Sequence, residues 1–294
     1  MPMNSDVHTP GILTGEEAMS LNFISASSPY HLRRYFRQGL RSHIFEVLDA
    51  NDVLKETQGE SLGGIKWFPR AVPRWMLRIL RTRFSHLDQV LDEVNKYTMI
   101  LKFLGPELMA VSQEFIVEYR APAGPEILLC GLQEYVKGEM LDPWNFQGDS
   151  PLAPFVPVSF PGESFKKKWV KKILGSIELF VEQTKKMIRD EGYIPDLAGN
   201  GNLLITARGD LKLVDINNII EVHYNEIIFL DDRKYPACDK SVEVLALLEQ
   251  KVLKNENFMD EKLYRHFFTP ERRKRVRQLE EKFYKLTFRE KQFI

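Results

Sequence analysis

Cysteine is scarce in this chain, with only Cys130 and Cys238 among 294 residues. Two such distant thiols exclude a disulfide framework and do not have metal-site spacing. Cys130 lies in the apolar run EILLCGL, where a buried, reduced thiol is expected. The six histidines form no ligand spacing, and no Ser-His-Asp or Cys-His order suggests hydrolase chemistry. Long apolar runs are missing too; none approaches the length that spans a bilayer. The start, MPMNSDVHTP, lacks the basic-then-apolar pattern of a secretory signal, so the expected location is cytoplasmic. Charge of one sign is absent as well. Forty-one acidic residues balance 41 basic ones, so the totals give no long-range steering toward nucleic acid.

What is present is an ordered alternation of segments. Residues 1–28 are polar, with scattered Ser, Gly and Pro, and read as a loose leader. Ile44, Phe45 and Val47, then Val53 and Leu54, are strand formers around the turn-like Asp49-Ala50-Asn51-Asp52, which predicts a hairpin. Beyond Gly63-Gly64 a helical block is expected from about 72 to 104. It carries a capping-box pattern at Ser85–Asp88, an apolar period from Leu87 to Leu104, and a stop at Gly105-Pro106. Strands follow near 114–119 and 127–135. Residues 141–163 are rich in Pro, Gly and Ser and read as a linker or surface excursion. Phe165, Trp169, Ile173, Ile177, Phe180, Val181, Thr184 and Ile188 then mark one face of a long helix over 164–190. From about 241 the pattern is again helical. The fold class expected is α+β in two lobes: a β-rich first lobe with one long helix (29–138) and an α-rich second lobe (139–294).

The richest stretch is YIPDLAGNGNLLITARGDLKLVDINN, residues 193–218. Two short apolar strands, LLIT and LKLVD, flank the turn Ala207-Arg208-Gly209-Asp210. Asp196 stands before the first strand, Asn202 at its start and Asp215 at the end of the second. Carboxylates and an amide oxygen at one rim are the donors a hard cation takes, and such cations commonly arrive with nucleotide phosphates. The order resembles the catalytic core of the protein-kinase-like superfamily, in which a loop Asp, a metal-binding Asn and a metal-binding Asp follow one another around such a hairpin. Thirteen residues lead from Asn202 to Asp215, about the family's separation. The resemblance implies a two-lobed kinase-like fold, ATP and Mg²⁺ as cofactors, Asp196 as the group that orients the acceptor hydroxyl, and Asn202 with Asp215 as metal ligands. It departs from the family in three places. Ile194-Pro195 replaces His-Arg before the loop Asp, the loop to Asn202 is one residue longer so that Asn200 is a rival ligand, and Ile216-Asn217 replaces Phe-Gly.

In the first lobe, Lys55 in DVLKE resembles the strand lysine that steadies nucleotide phosphates, with Glu93 on the following helix as its ion-pair partner. Gly39 and Ser42 stand where the phosphate-covering loop belongs, with one glycine where the family has three. Glu134 and Val136, within QEYVKG, resemble the hinge whose backbone contacts adenine. Asp239, where the next core helix is expected to begin, lies only 24 positions after Asp215. No Ala-Pro-Glu motif lies between them. A short segment without a peptide platform points to a small-molecule, sugar or lipid-linked hydroxyl acceptor; an idle pseudokinase scaffold is the alternative. Arg70, Arg74, Arg78 and Arg81 fall on one face of the expected helical block. That is either a solvated face or a contact for anionic membrane or a phosphorylated ligand. The basic run from Arg272 to Arg277 is balanced by Glu280-Glu281 and reads as a solvated helix face.

Overall fold

The computed structural model describes residues 7–9, 13–24, 28–36, 41–121, 124–146, 148, 150–156 and 162–291. The chain is mixed α+β and divides into two compact units, residues 1–96 with 110–135 and residues 97–109 with 136–294.

The first unit is built on a five-stranded antiparallel sheet. Its elements are α1 (Gly15–Met19), β1 (Tyr30–Arg34), β2 (Ser42–Asp49), α2 (Ala50–Gln58), β3 (Glu60–Leu62), β4 (Ile65–Trp67), β5 (Trp75–Leu80), the start of α3 (Leu87–Leu108), β6 (Ser112–Ala121) and β7 (Gly124–Glu134). The sheet order is β1-β2-β5-β7-β6, and β3 with β4 forms a separate hairpin. Both faces of the sheet are covered. Phe45, Val47, Leu77, Ile79, Leu128 and Cys130 pack with Val7, Leu13, Ala18 and Leu21 on one side. Leu80 and Leu129 meet Val90 of α3 on the other. The described part of the supposed leader is therefore core, not loose chain. A reciprocal capping box between Thr14 and Glu17 starts α1, and Ala18 is fully buried.

Two further expectations are corrected in this unit. The hairpin expected over 44–54 is one strand followed by a helix, because Asp49 accepts a hydrogen bond from Asn51 N and caps α2. The helical block expected from 72 begins only at Leu87, because Pro69 and Pro73 forbid a helix there and the apolar WMLRIL pairs as β5 between β2 and β7. The strands expected near 114–119 and 127–135 are present as the longer β6 and β7.

The second unit takes the end of α3, where Gly105 leaves helical geometry at φ 62°. It continues with β8 (Gly138–Met140), α4 (Glu163–Glu191), β9 (Tyr193–Pro195), β10 (Leu203–Thr206), β11 (Leu211–Leu213), β12 (Ile219–Glu221), α5 (Ala237–Leu247), α6 (Lys262–Phe267) and α7 (Pro270–Lys291). Among its described residues, the stretch 141–163 holds two single 3₁₀ turns, Pro143–Asn145 and Ala153–Phe155, and buries Leu141 and Leu152. One face of α4 supplies Trp169, Ile173, Ile177, Phe180, Val181 and Ile188 to the main core, as its period requires. A left-handed Gly192 ends α4 and turns the chain into β9. Arg272 is not part of a solvated face: it is 95% shielded and forms a two-pronged ion pair with buried Asp239 of α5, at 2.6 and 3.1 Å. Both cysteines are buried free thiols, and desolvation pushes each up to about 12. Among the described residues no helix is long and apolar enough to cross a membrane.

Candidate functional site

The hairpin of β10 and β11 forms as its sequence dictates. Leu203, Ile205, Leu211 and Leu213 alternate onto a buried face, and Leu203 pairs with Leu213 in an antiparallel register. Gly209, at φ 80°, makes the turn, and Trp169 of α4 donates its indole N–H to Ala207 O at 3.1 Å. Edge strand β8 adds to β10 through Met140, Glu139 and Gly138.

The loop ahead of this hairpin is closed by its own polar groups. Strand β9 pairs with β12, and Asp196 N extends that ladder by donating to Asn218 O at 2.8 Å. The Asp196 carboxylate accepts from Ala198 N at 2.9 Å and from the Asn218 side-chain amide at 2.8 Å. Leu197 is buried, and its N–H donates to Ser241 Oγ of α5 at 3.0 Å, pulling the loop onto the helix. Asn202, 6% exposed, donates its side-chain N–H to the Asp196 carbonyl at 2.8 Å. A Cβ on Gly199 would lie 2.8 Å from both amide atoms of Asn202, so only glycine lets the loop fold over it. Val214 N donates to Asn202 O at 2.8 Å, which sets Asp215 one residue beyond Asn202's own pairing. Asp215 is half-buried and accepts from Asn217 N at 3.3 Å, a short Asx-type turn.

The second unit therefore brings Asp196, Asn202 and Asp215 into one loop-and-hairpin assembly. Asn200, the rival ligand, is exposed, whereas Asn202 is built into the loop. Asn218 was not anticipated as a partner of Asp196. The signal for it was the Asn pair just past Asp215, on a segment that returns alongside β9. Among the described residues no group of three His, Cys, Asp or Glu side chains is placed to hold a metal; the set here is two carboxylates and one amide.

The first unit distributes its candidates differently. Lys55 is not on a strand: it sits on α2, 51% exposed, with Nζ 3.9 Å from Glu60. Glu93 is on α3 as expected but pairs with Lys96 at 2.7 Å rather than with Lys55. Ser42 opens β2 as a buried residue, 2% exposed, rather than standing in an open loop. Gly39 lies outside the described residues. Glu134 ends β7 and its N–H donates to Val111 O, while Val136 lies in the short connection to β8. The strand one segment ahead of the long helix is β5, and the cation it carries is Arg78, 3% exposed. Arg78 belongs to no solvated helix face. It is paired with Glu114 of β6 and hydrogen-bonded to Ser112 Oγ at 3.0 Å. The pair bridges over Gly131 of β7, where a Cβ would meet Arg78, Glu114 and Ser112 at 2.6–2.7 Å. A lone Arg inside an apolar run preceded by two prolines was the overlooked signal.

No protein-family model matches the chain, and a search of curated proteins found no significant match.

Proposed function

We propose that this chain is a kinase-like phosphotransferase that moves the γ-phosphoryl group of ATP to a hydroxyl acceptor, its fold a variant of the two-lobed protein-kinase-like arrangement. The observation that carries this reading is the closed Asp196 loop: Asn202 clamps the Asp196 carbonyl while neutral N–H donors hold the Asp196 carboxylate. A carboxylate fixed in this way keeps its direction, as a group that receives a hydroxyl proton requires. Because Asn202 spends its amide nitrogen on the loop, its Oδ1 and the Asp215 carboxylate are the donors suited to Mg²⁺. Bound together, ATP and Mg²⁺ would supply the phosphoryl group and offset its charge. The segment between Asp215 and α5 is short and carries no Ala-Pro-Glu motif, which favours a small, sugar or lipid-linked hydroxyl compound over a peptide.

An idle, nucleotide- or partner-binding scaffold is the second reading. It is favoured by the first unit, where the strand cation Arg78 is already neutralised by Glu114 and Lys55 is on an exposed helix. Transfer of labelled γ-phosphate to a panel of sugar, lipid-linked and peptide acceptors separates the two. Turnover that disappears in Asp196→Ala supports the transferase. Binding of Mg·ATP with no transfer to any acceptor supports the scaffold.

A further inference from the structure

The hairpin β3–β4 contributes nothing to either covered face of the first unit's sheet. All of its apolar residues are in water: Leu62 is 66% exposed, Ile65 74%, Trp67 51% and the following Phe68 54%. Its tip is the two-residue turn Gly63-Gly64, with both residues at positive φ (59° and 82°), the geometry that suits a tight right-twisted hairpin. Leu62 pairs directly with Ile65 and Glu60 with Trp67, so Leu62, Ile65 and Trp67 share one face, and Ser61 and Lys66 share the other.

Charge is layered along the same axis. The apex is uncharged, Lys66 lies one step behind it over the Phe68 ring, and exposed Arg70 and Arg74 follow the hairpin in sequence, Arg74 within 3.6 Å of Asp49. No acidic residue occurs from Ser61 to Arg83, and the hairpin's own acid, Glu60, has Lys55 within 3.9 Å. An apolar tip with cations behind it follows the profile of an anionic bilayer surface, apolar below and negatively charged above. Each strand spans roughly 10 Å, about the depth to which interfacial elements sink, and Trp67, at the hairpin's base, is of the residue type that settles at membrane interfaces.

We infer that the β3–β4 hairpin is a membrane-surface anchor that sets Leu62, Ile65 and Trp67 into an anionic lipid interface, with Lys66 and Arg70 on the headgroups. The helical arginine face expected from sequence is thus replaced by a ribbon, and Arg78 has no part in it. The inference does not depend on phosphotransfer. It is tested by sedimenting the full chain with vesicles of phosphatidylcholine alone and of phosphatidylcholine mixed with phosphatidylglycerol. The chain is expected to associate with the mixed vesicles, less so at high salt, and with a blue-shifted tryptophan emission that Trp67→Phe removes. The double change Leu62→Asp and Ile65→Asp should reduce association by about tenfold or more, with an unchanged melting temperature because both side chains are exposed. Lys66→Glu with Arg70→Glu should weaken it without touching the apolar tip, and so stands as the second test should the first variant fold poorly. No association with mixed vesicles, equal association by the variants, or binding to an acidic polypeptide in place of vesicles would overturn the assignment.

Discussion

Arg78 and Asp196 are charged side chains in very different settings. In the first unit Arg78 is sealed by Glu114, with Gly131 leaving room for the pair to cross a strand. In the second, Asp196 is held by a backbone N–H and an asparagine amide, both neutral. An opposite charge pairs the first; neutral N–H donors orient the second. On the proposed function, the first charge serves architecture and the second serves chemistry. Asp239 with Arg272 repeats the architectural solution inside the second unit, a few residues from the Ser241 that anchors the Asp196 loop.

Mutation should expose the difference. The largest effect is expected from Asp196→Ala, which should lower phosphoryl transfer by about 10²–10⁴-fold while leaving ATP affinity within a few-fold of normal, as steady-state kinetics will show. A large loss of stability in that variant would instead place Asp196 with the architectural charges. Glu114→Ala should do the opposite and destabilise the first unit by about 3–5 kcal/mol, because it strands a buried guanidinium; denaturant unfolding measures this. Next in size is Gly131→Ala, where the added methyl has no room beside the ion pair and should cost about 1–3 kcal/mol in the same assay. The smallest effect concerns His43, 6% exposed, whose ring meets the Val7 carbonyl at 2.6 Å. Burial lowers its affinity for a proton despite that bond. The unfolded chain therefore takes up a proton near pH 6.5 before the folded one does. Stability should be full above that pH and decline as the solution is acidified below it, a slope that His43→Gln flattens.

The second unit was far more legible in sequence than the first. The long helix, the antiparallel β10–β11 hairpin and the terminal helices follow from local periodicity and turn chemistry alone. That Asp196, Asn202 and Asp215 fall in one loop-and-hairpin assembly was legible because a short hairpin fixes their spacing. In the first unit, tertiary pairing overrode local pattern. DVLKET reads equally as strand or helix until the Asp49 cap is known, and WMLRIL reads as helix until its two partner strands are known. The leader looked polar because its few apolar residues, Val7, Leu13, Ala18 and Leu21, are spaced to cover a sheet that lies far along the chain. Of Asn218 the sequence offered only the Asn pair past Asp215; its contact with Asp196 exists only once β12 lies beside β9.

The central claim is that the Asp196–Asp215 assembly handles a metal-bound nucleotide. Thermal melting with ATP, with and without Mg²⁺, on the parent chain and on Asp215→Asn tests it most directly. The parent should gain about 2.7 kcal/mol at a ligand concentration near a hundred times the dissociation constant, only when Mg²⁺ is present, and Asp215→Asn should lose that gain with its unliganded melting temperature unchanged. Equal stabilisation of parent and variant by Mg·ATP, or none of either, would contradict it.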